Sequence, residues 1–242
     1  MRHPDGVEQD GRCPRPQLVR ADWCDLSGTW DFAFTDAEAP GEVTFDRRIV
    51  VPFPPESPAS GIGDPGFHGP LWYRRTFGPR ELAAAGLDSA RTRLVLLFGA
   101  VDHAAEVWLN GTHLGRHEGG QTPFAFDITR VARLEGDNEL VVRAVDDPLD
   151  VAQPRGKQDW RERPHAIWNE RTSGIWQPVW LDAVPEIAVE DLVWSSDPTG
   201  SWVDLEAILS RMPGARHLAL GTTGRSPTSR RRARRRCGAR WS

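Results

Sequence analysis

Eight carboxylates stand in polar or turn-like contexts in this 242-residue chain: Asp102, Glu118, Asp127, Asp146, Asp147, Asp159, Glu162 and Glu170. Two such groups held across one bond could act as acid and base. None has a neighbour that marks such a pair, so solvated surface acids are the expected reading and no catalytic residue is assigned. His113 and His117 lie four apart with Glu118 next, but no third ligand follows at zinc-like spacing, so no metal and no other cofactor is expected. Asp146-Asp147-Pro148-Leu149-Asp150 offers hard oxygen ligands to a cation, yet its proline and spacing favour a turn. The segment with the richest mixture is residues 155–171, RGKQDWRERPHAIWNER. Aromatic faces that cover an apolar ring edge, set among fixed polar groups, are what a sugar site uses. The plainer alternative is that Trp160 and Trp168 pack on the domain and the charges are solvated.

The elements that must position these groups read as strands. Residues 94–98, LVLLF, form an apolar run too short for a helix and without alternation, hence a strand covered on both faces. Glu106-Val107-Trp108-Leu109, then Asn110-Gly111, then Thr112-His113-Leu114 predicts a hairpin with a type I′ turn, because Asn and Gly best tolerate the positive φ it needs. Trp108 is expected inward or at the sheet edge. Phe124, Phe126 and Ile128 alternate with Ala125, Asp127 and Thr129, as do Trp30, Phe32 and Phe34 with Asp31 and Ala33. Further strands are predicted over 43–51, 71–77, 138–144, 174–183, 187–194 and 201–209, a short helical turn within 81–90, and long loops over 52–70 and 146–171. Many short strands with turn signals between them and almost no helical periodicity indicate an all-β, jelly-roll sandwich.

Composition agrees with a globular chain: 39% hydrophobic residues and eleven Trp. The net charge of −4 conceals two parts, since every acid lies at or before Glu206 while residues 211–242 carry ten Arg. The remainder carries −14, a poor match for nucleic acid or an anionic membrane. Cys13, Cys24 and Cys237 suggest no disulfide framework. With neither an apolar leader nor a run approaching about 18 apolar residues, a cytoplasmic protein without membrane association is expected.

An ordered set of motifs also carries a resemblance. Leu26-Ser27-Gly28-Thr29-Trp30, Val51-Pro52-Phe53, Trp72-Tyr73-Arg74-Arg75-Thr76-Phe77, the stretch FGAVDHAAEVWLNGTHLGRHEGGQTPFAFDIT, Asn138-Glu139-Leu140-Val141-Val142, Arg155-Gly156-Lys157-Gln158-Asp159-Trp160 and Thr172-Ser173-Gly174-Ile175-Trp176-Gln177 follow one another over residues 18–185. Together they resemble the N-terminal sugar-binding domain of glycoside hydrolase family 2, the β-galactosidase/β-glucuronidase family. The resemblance implies a galactose-binding-domain-like jelly roll over 18–185, after a loose arm at 1–17, with an immunoglobulin-like sandwich begun but incomplete over 186–210. It implies that the catalytic acids belong to a barrel this chain lacks, that the barrel is the partner, and that the substrate is a carbohydrate. It makes Arg155, Gln158, Trp160, Trp168, Asn169, Glu170 and Arg171 candidate rim residues, because in relatives the loop before the Ser/Thr-Gly-Ile motif leans over the barrel.

The Arg-rich tail, residues 211–242, reads in three ways: out-of-frame translation of a GC-rich gene, a disordered solvated tail, or a nucleic-acid-binding segment. One Lys against 29 Arg fits the first. Two further classes of function stand beside a glycoside hydrolase piece. One is a free-standing carbohydrate-binding module, which would bind glycans alone. The other is a nucleic-acid-tethered module, whose binding would be strongly salt-dependent.

Overall fold

The computed structural model describes residues 13–161, 163–196, 199 and 203–210. Residues 1–12 of the expected arm and the tail at 211–242 lie outside the described residues, as do Glu162 and Cys237.

Two antiparallel sheets face each other across one core. The larger has six strands in the order β3 (Arg47–Val51), β2 (Gly28–Phe34), β4 (Leu71–Phe77), β10 (Asn138–Val145), β7 (Ala104–Leu109) and β8 (Thr112–Glu118). The smaller has four: β1 (Cys24–Asp25), β12 (Val179–Val184), β5 (Arg93–Phe98) and β9 (Phe124–Asp127). A two-stranded bridge, β6 (Val101–Asp102) with β11 (Gly174–Ile175), closes one end. A short helix, α1 (Pro79–Ala84), packs at the other side, and β13 (Val189–Ser196) and β14 (Val203–Leu209) form a separate hairpin. Alternation decides which residues turn inward: Trp30 and Phe32, Tyr73, Leu94, Leu96 and Phe98, Val107 and Leu109, Leu140 and Val142, and Leu181 all sink to 1% exposure or less. Among the described residues, no helix is long and apolar enough to cross a membrane.

The hairpin forms as its sequence requires. Asn110 and Gly111 join β7 to β8 with φ of 52° and 79°, the left-handed pair of a type I′ turn. Asn110 also fastens the turn to the body, its Nδ2 donating to Val131 O and Asn138 Oδ1 at 3.0 and 2.9 Å. Three expectations are corrected. The strand foreseen over 43–51 begins only at Arg47, because Pro40 opens a 3-10 turn that Val43 closes by donating to Pro40 O at 3.3 Å. The strand foreseen over 174–183 is split, since Pro178 has no N–H to give a ladder. Trp108 points to the outer face, half-buried and stacked on Trp72 with ring centroids 5.6 Å apart. Its inward neighbours Val107 and Leu109 take the core positions instead.

Candidate functional site

The long segment between β10 and β11 makes no strand ladder, yet buried polar contacts hold it in place. At its centre is Gln158, in an isolated bridge with Asn169. Its Nε2 donates to Asp102 Oδ2 and its Oε1 accepts from the Thr172 N–H, both at 2.8 Å. Asp159, 2% exposed, closes the next turn by accepting from the N–H groups of Arg161 and His165 at 3.1 and 2.7 Å and from His165 Nδ1 at 2.6 Å. This fixes an aromatic group: Trp160 meets His165 and Trp168 edge to face, each at 5.2 Å between centroids. The Arg155 guanidinium lies 6.0 Å from the Trp160 ring and donates to Pro148 O at 3.1 Å.

A second network anchors the exit of the segment. Arg171, 7% exposed, lies over the Phe67 ring at 4.5 Å, donates to Ser173 Oγ at 3.2 Å and faces Asp146 Oδ2 at 3.5 Å. Ser173 Oγ donates to Asp146 Oδ2 at 2.9 Å, and Gln153 Nε2 donates to Asp146 Oδ1. The Ser173 N–H donates to Glu56 Oε2 at 3.2 Å, tying the 52–70 loop to the same cluster. Burial raises the Glu56 carboxyl above its usual range, against the pull of the Ser173 bond.

The seven rim residues expected from sequence therefore separate. Trp160, Asn169 and Glu170 are exposed, and Arg155 and Trp168 are half-buried beside them. Gln158, also half-buried, and Arg171, buried, each pair with a buried acid, Asp102 and Asp146, and so hold the loop. Asp146, Asp147 and Asp150 form the foreseen turn, with Asp147 and Asp150 accepting from the N–H groups of Leu149 and Ala152 at 2.8 and 2.9 Å. His117 stacks on Phe124 at 4.2 Å and His113 lies 5.1 Å from Trp108. Among the described residues, no cluster of three or more His, Cys, Asp or Glu could hold a metal. Glu56 was not foreseen. Its signal was its isolation, as the one charged residue between Arg48 and Asp64.

The space among Asp146, Arg155, Gln158 and Arg171 measures about 10 Å³, room for one water at most. Sites for small molecules enclose roughly 300–1,000 Å³. Trp160 is exposed on this loop, outside that space.

Asp102 is the most perturbed acid of the cluster. Burial pushes its carboxyl up to about 6, the Gln158 bond opposing and the charge of Asp146 adding. A raised folded-state value means that its contribution to stability is complete below about 3.8 and is lost as pH rises through about 6. Asp102→Asn should therefore raise the melting midpoint at pH 8, by the equivalent of about 2–3 kcal/mol, and flatten the decline between about pH 4 and 6. Thermal unfolding at both ends of that window checks it; an Asp102→Asn chain less stable than wild type at pH 8 would refute the burial argument.

A family model described as "Glycosyl hydrolases family 2, sugar binding domain" matches residues 62–185. A β-glucuronidase of Paenibacillus borealis is 29% identical over 215 residues, 77% of this chain and 33% of its own length. A β-galactosidase of Clostridium acetobutylicum is 38% identical over 100 residues, 41% of this chain and 10% of its own. Among solved structures, a β-glucuronidase of an uncultured Clostridium superposes with a TM-score of 0.56 at 26% identity, covering 80% of this chain and 35% of that one. The chain spans about a third or less of the length of the curated relatives it matches.

Proposed function

Because the chain belongs to glycosyl hydrolases family 2, through that family's sugar binding domain, we propose that it is the sugar-facing, non-catalytic part of an enzyme that cleaves O-glycosidic bonds. The pinned segment 146–173 carries the proposal. Two networks pin the segment that carries Trp160, Trp168, Asn169 and Glu170 while enclosing no ligand-sized space. Such a wall works when a second body closes the pocket, and we assign that role to a catalytic barrel of the same family. The substrate is a carbohydrate. The names of the relatives favour a β-glucuronide or β-galactoside. Residues 18–185 then form the sandwich and 186–210 open an immunoglobulin-like unit, of which β13 and β14 are the first hairpin.

In this reading the exposed Trp160 ring covers the apolar face of a sugar, and Asn169 and Glu170 meet its hydroxyls. The acid and base come from the barrel, because the acids that gather here are committed to structure: Asp102 to Gln158, Asp146 to Ser173 and Arg171. The test is a hybrid in which residues 13–185 replace the matching part of the Paenibacillus borealis enzyme. Trp160→Ala in that hybrid should lower kcat/KM about tenfold, mainly through KM, as the loss of a uniform binding contact does. An unchanged kcat/KM would remove the loop from the pocket.

A further inference from the structure

We propose that residues 13–22 form a clasp that sets the angle between the sandwich and the hairpin that follows it, with Arg20 and Arg15 as its positioning residues. The clasp goes beyond the sugar reading above and uses none of its contacts.

The hairpin needs such a device. Among the described residues, β13 and β14 pair with each other and with no strand of the other sheets. A lone two-stranded hairpin is marginally stable in water. Residues 185–188 join it to β12, and Ser210 closes that joint: its N–H donates to Ala188 O at 2.9 Å and its hydroxyl to Glu186 O at 3.0 Å. Linker and hairpin are thus tied to each other, while no ladder bond fixes where they stand against the sandwich.

The Arg20 guanidinium spans the joint. Its Nε donates to Asp182 Oδ2 on β12 and its Nη2 to Val189 O on β13, both at 3.2 Å. Nε and Nη2 belong to one planar fork, so the two bonds hold a direction as well as a distance. Asp182 is 3% exposed; burial raises its carboxyl above the usual range, and the charges of Arg20 and Arg15 oppose that rise. Arg15 makes the second grip, donating from Nη2 to Glu190 O at 2.8 Å. A bulge exposes that carbonyl. Val189 pairs with Leu209 and Asp191 with Ile208, so Glu190 is an extra residue with no opposite number on β14. A carbonyl left out of the ladder needs another donor, and Arg15 supplies it. The arm itself is tied down on the sandwich side. Asp22 accepts from Arg91 Nη1 at 2.6 Å, just ahead of β5, and the Leu18 N–H donates to Arg15 O at 3.0 Å in a turn between the two arginines.

The test is made on the full chain. Spin labels on Thr76→Cys in β4 and Ser195→Cys in β13, with Cys13→Ser, Cys24→Ser and Cys237→Ser, report the distance between sandwich and hairpin by double electron–electron resonance. Hydrogen exchange of peptides from 186–196 reports the joint. One narrow distance is expected for this parent. Arg20→Lys keeps a charge beside Asp182, and with it the melting midpoint, but its compact ammonium lacks the fork. It should widen the distance distribution and lower exchange protection over residues 189–192 about tenfold, as the loss of a charge-assisted hydrogen bond implies. Arg15→Met should do the same without moving the melting midpoint. A plain ion pair between Arg20 and Asp182 would instead be fully rescued by lysine. The proposal is overturned if the parent shows a broad distribution, or if either variant keeps the parent's distribution and its protection within about twofold. If Arg20→Lys fails to fold, Arg15→Met decides.

Discussion

Replacing Gly174 by alanine should lower the melting midpoint by roughly 6–12 °C, the equivalent of about 3 kcal/mol in a domain of this size. Gly174 has φ of 72°, and a Cβ built on it would collide with Tyr73 Oη and stand 3.3 Å from Leu71 Cδ2. Two costs add. A left-handed backbone disfavours any L side chain by about 1 kcal/mol, and forcing a methyl into a filled core costs about 1–3 kcal/mol. Tyr73 cannot swing aside, being fully buried between Phe32 and the β11 backbone, where the Ile175 N–H donates to its hydroxyl at 3.4 Å. The damage also reaches the site, since Gly174 pairs with Asp102 across β6 and β11. Tyr73→Phe in the same chain should recover part of the loss, because it removes the atom in closest conflict. A variant within about 1 °C of wild type would show that the bridge region yields, contrary to the packing described.

Arg171→Met should destabilise by about 3–5 kcal/mol and expose the 146–173 segment to protease. The guanidinium is the cation that faces the buried Asp146 carboxylate, at 3.5 Å, and it covers Phe67. Methionine keeps much of the volume but leaves Asp146 with only the Ser173 and Gln153 hydrogen bonds. Removing one partner of a buried pair is costly because the other charge stays desolvated. Asp146→Asn added to Arg171→Met should therefore recover stability, a coupling that two independent sites would not show. If the double variant is simply the sum of the singles, the pair is not the anchor.

The sandwich was legible because its strands are governed by local rules. Alternation placed Trp30, Phe32, Leu140 and Val142 inward, and Asn110-Gly111 named its own turn. The errors came from effects that alternation does not see. Trp108 is half-buried although it faces outward, because Trp72, two strands away in the same sheet, stacks against it. At the site, the exposed aromatic and polar residues of the loop were recognisable from composition. The anchoring roles of Gln158 and Arg171 were not, since their partners Asp102 and Asp146 lie 56 and 25 residues away and meet them only in the folded chain. Glu56 reaches Ser173 across 117 residues for the same reason.

Labour is divided in the proposed enzyme: this chain supports and walls a sugar pocket, and a barrel cleaves. The direct measurement is turnover of aryl β-galactoside, β-glucuronide, β-mannoside and β-glucoside by the purified chain, alone and with a family 2 barrel supplied in trans or by fusion. Cleavage of a glycosidic bond needs a proton donor and a second carboxylate held about 5–10 Å apart on either side of it. The expected result is no turnover above buffer for the chain alone, and turnover of at least one substrate once the barrel is present. Turnover by the chain alone that is lost in Glu170→Gln would contradict this division and make the loop itself the catalyst.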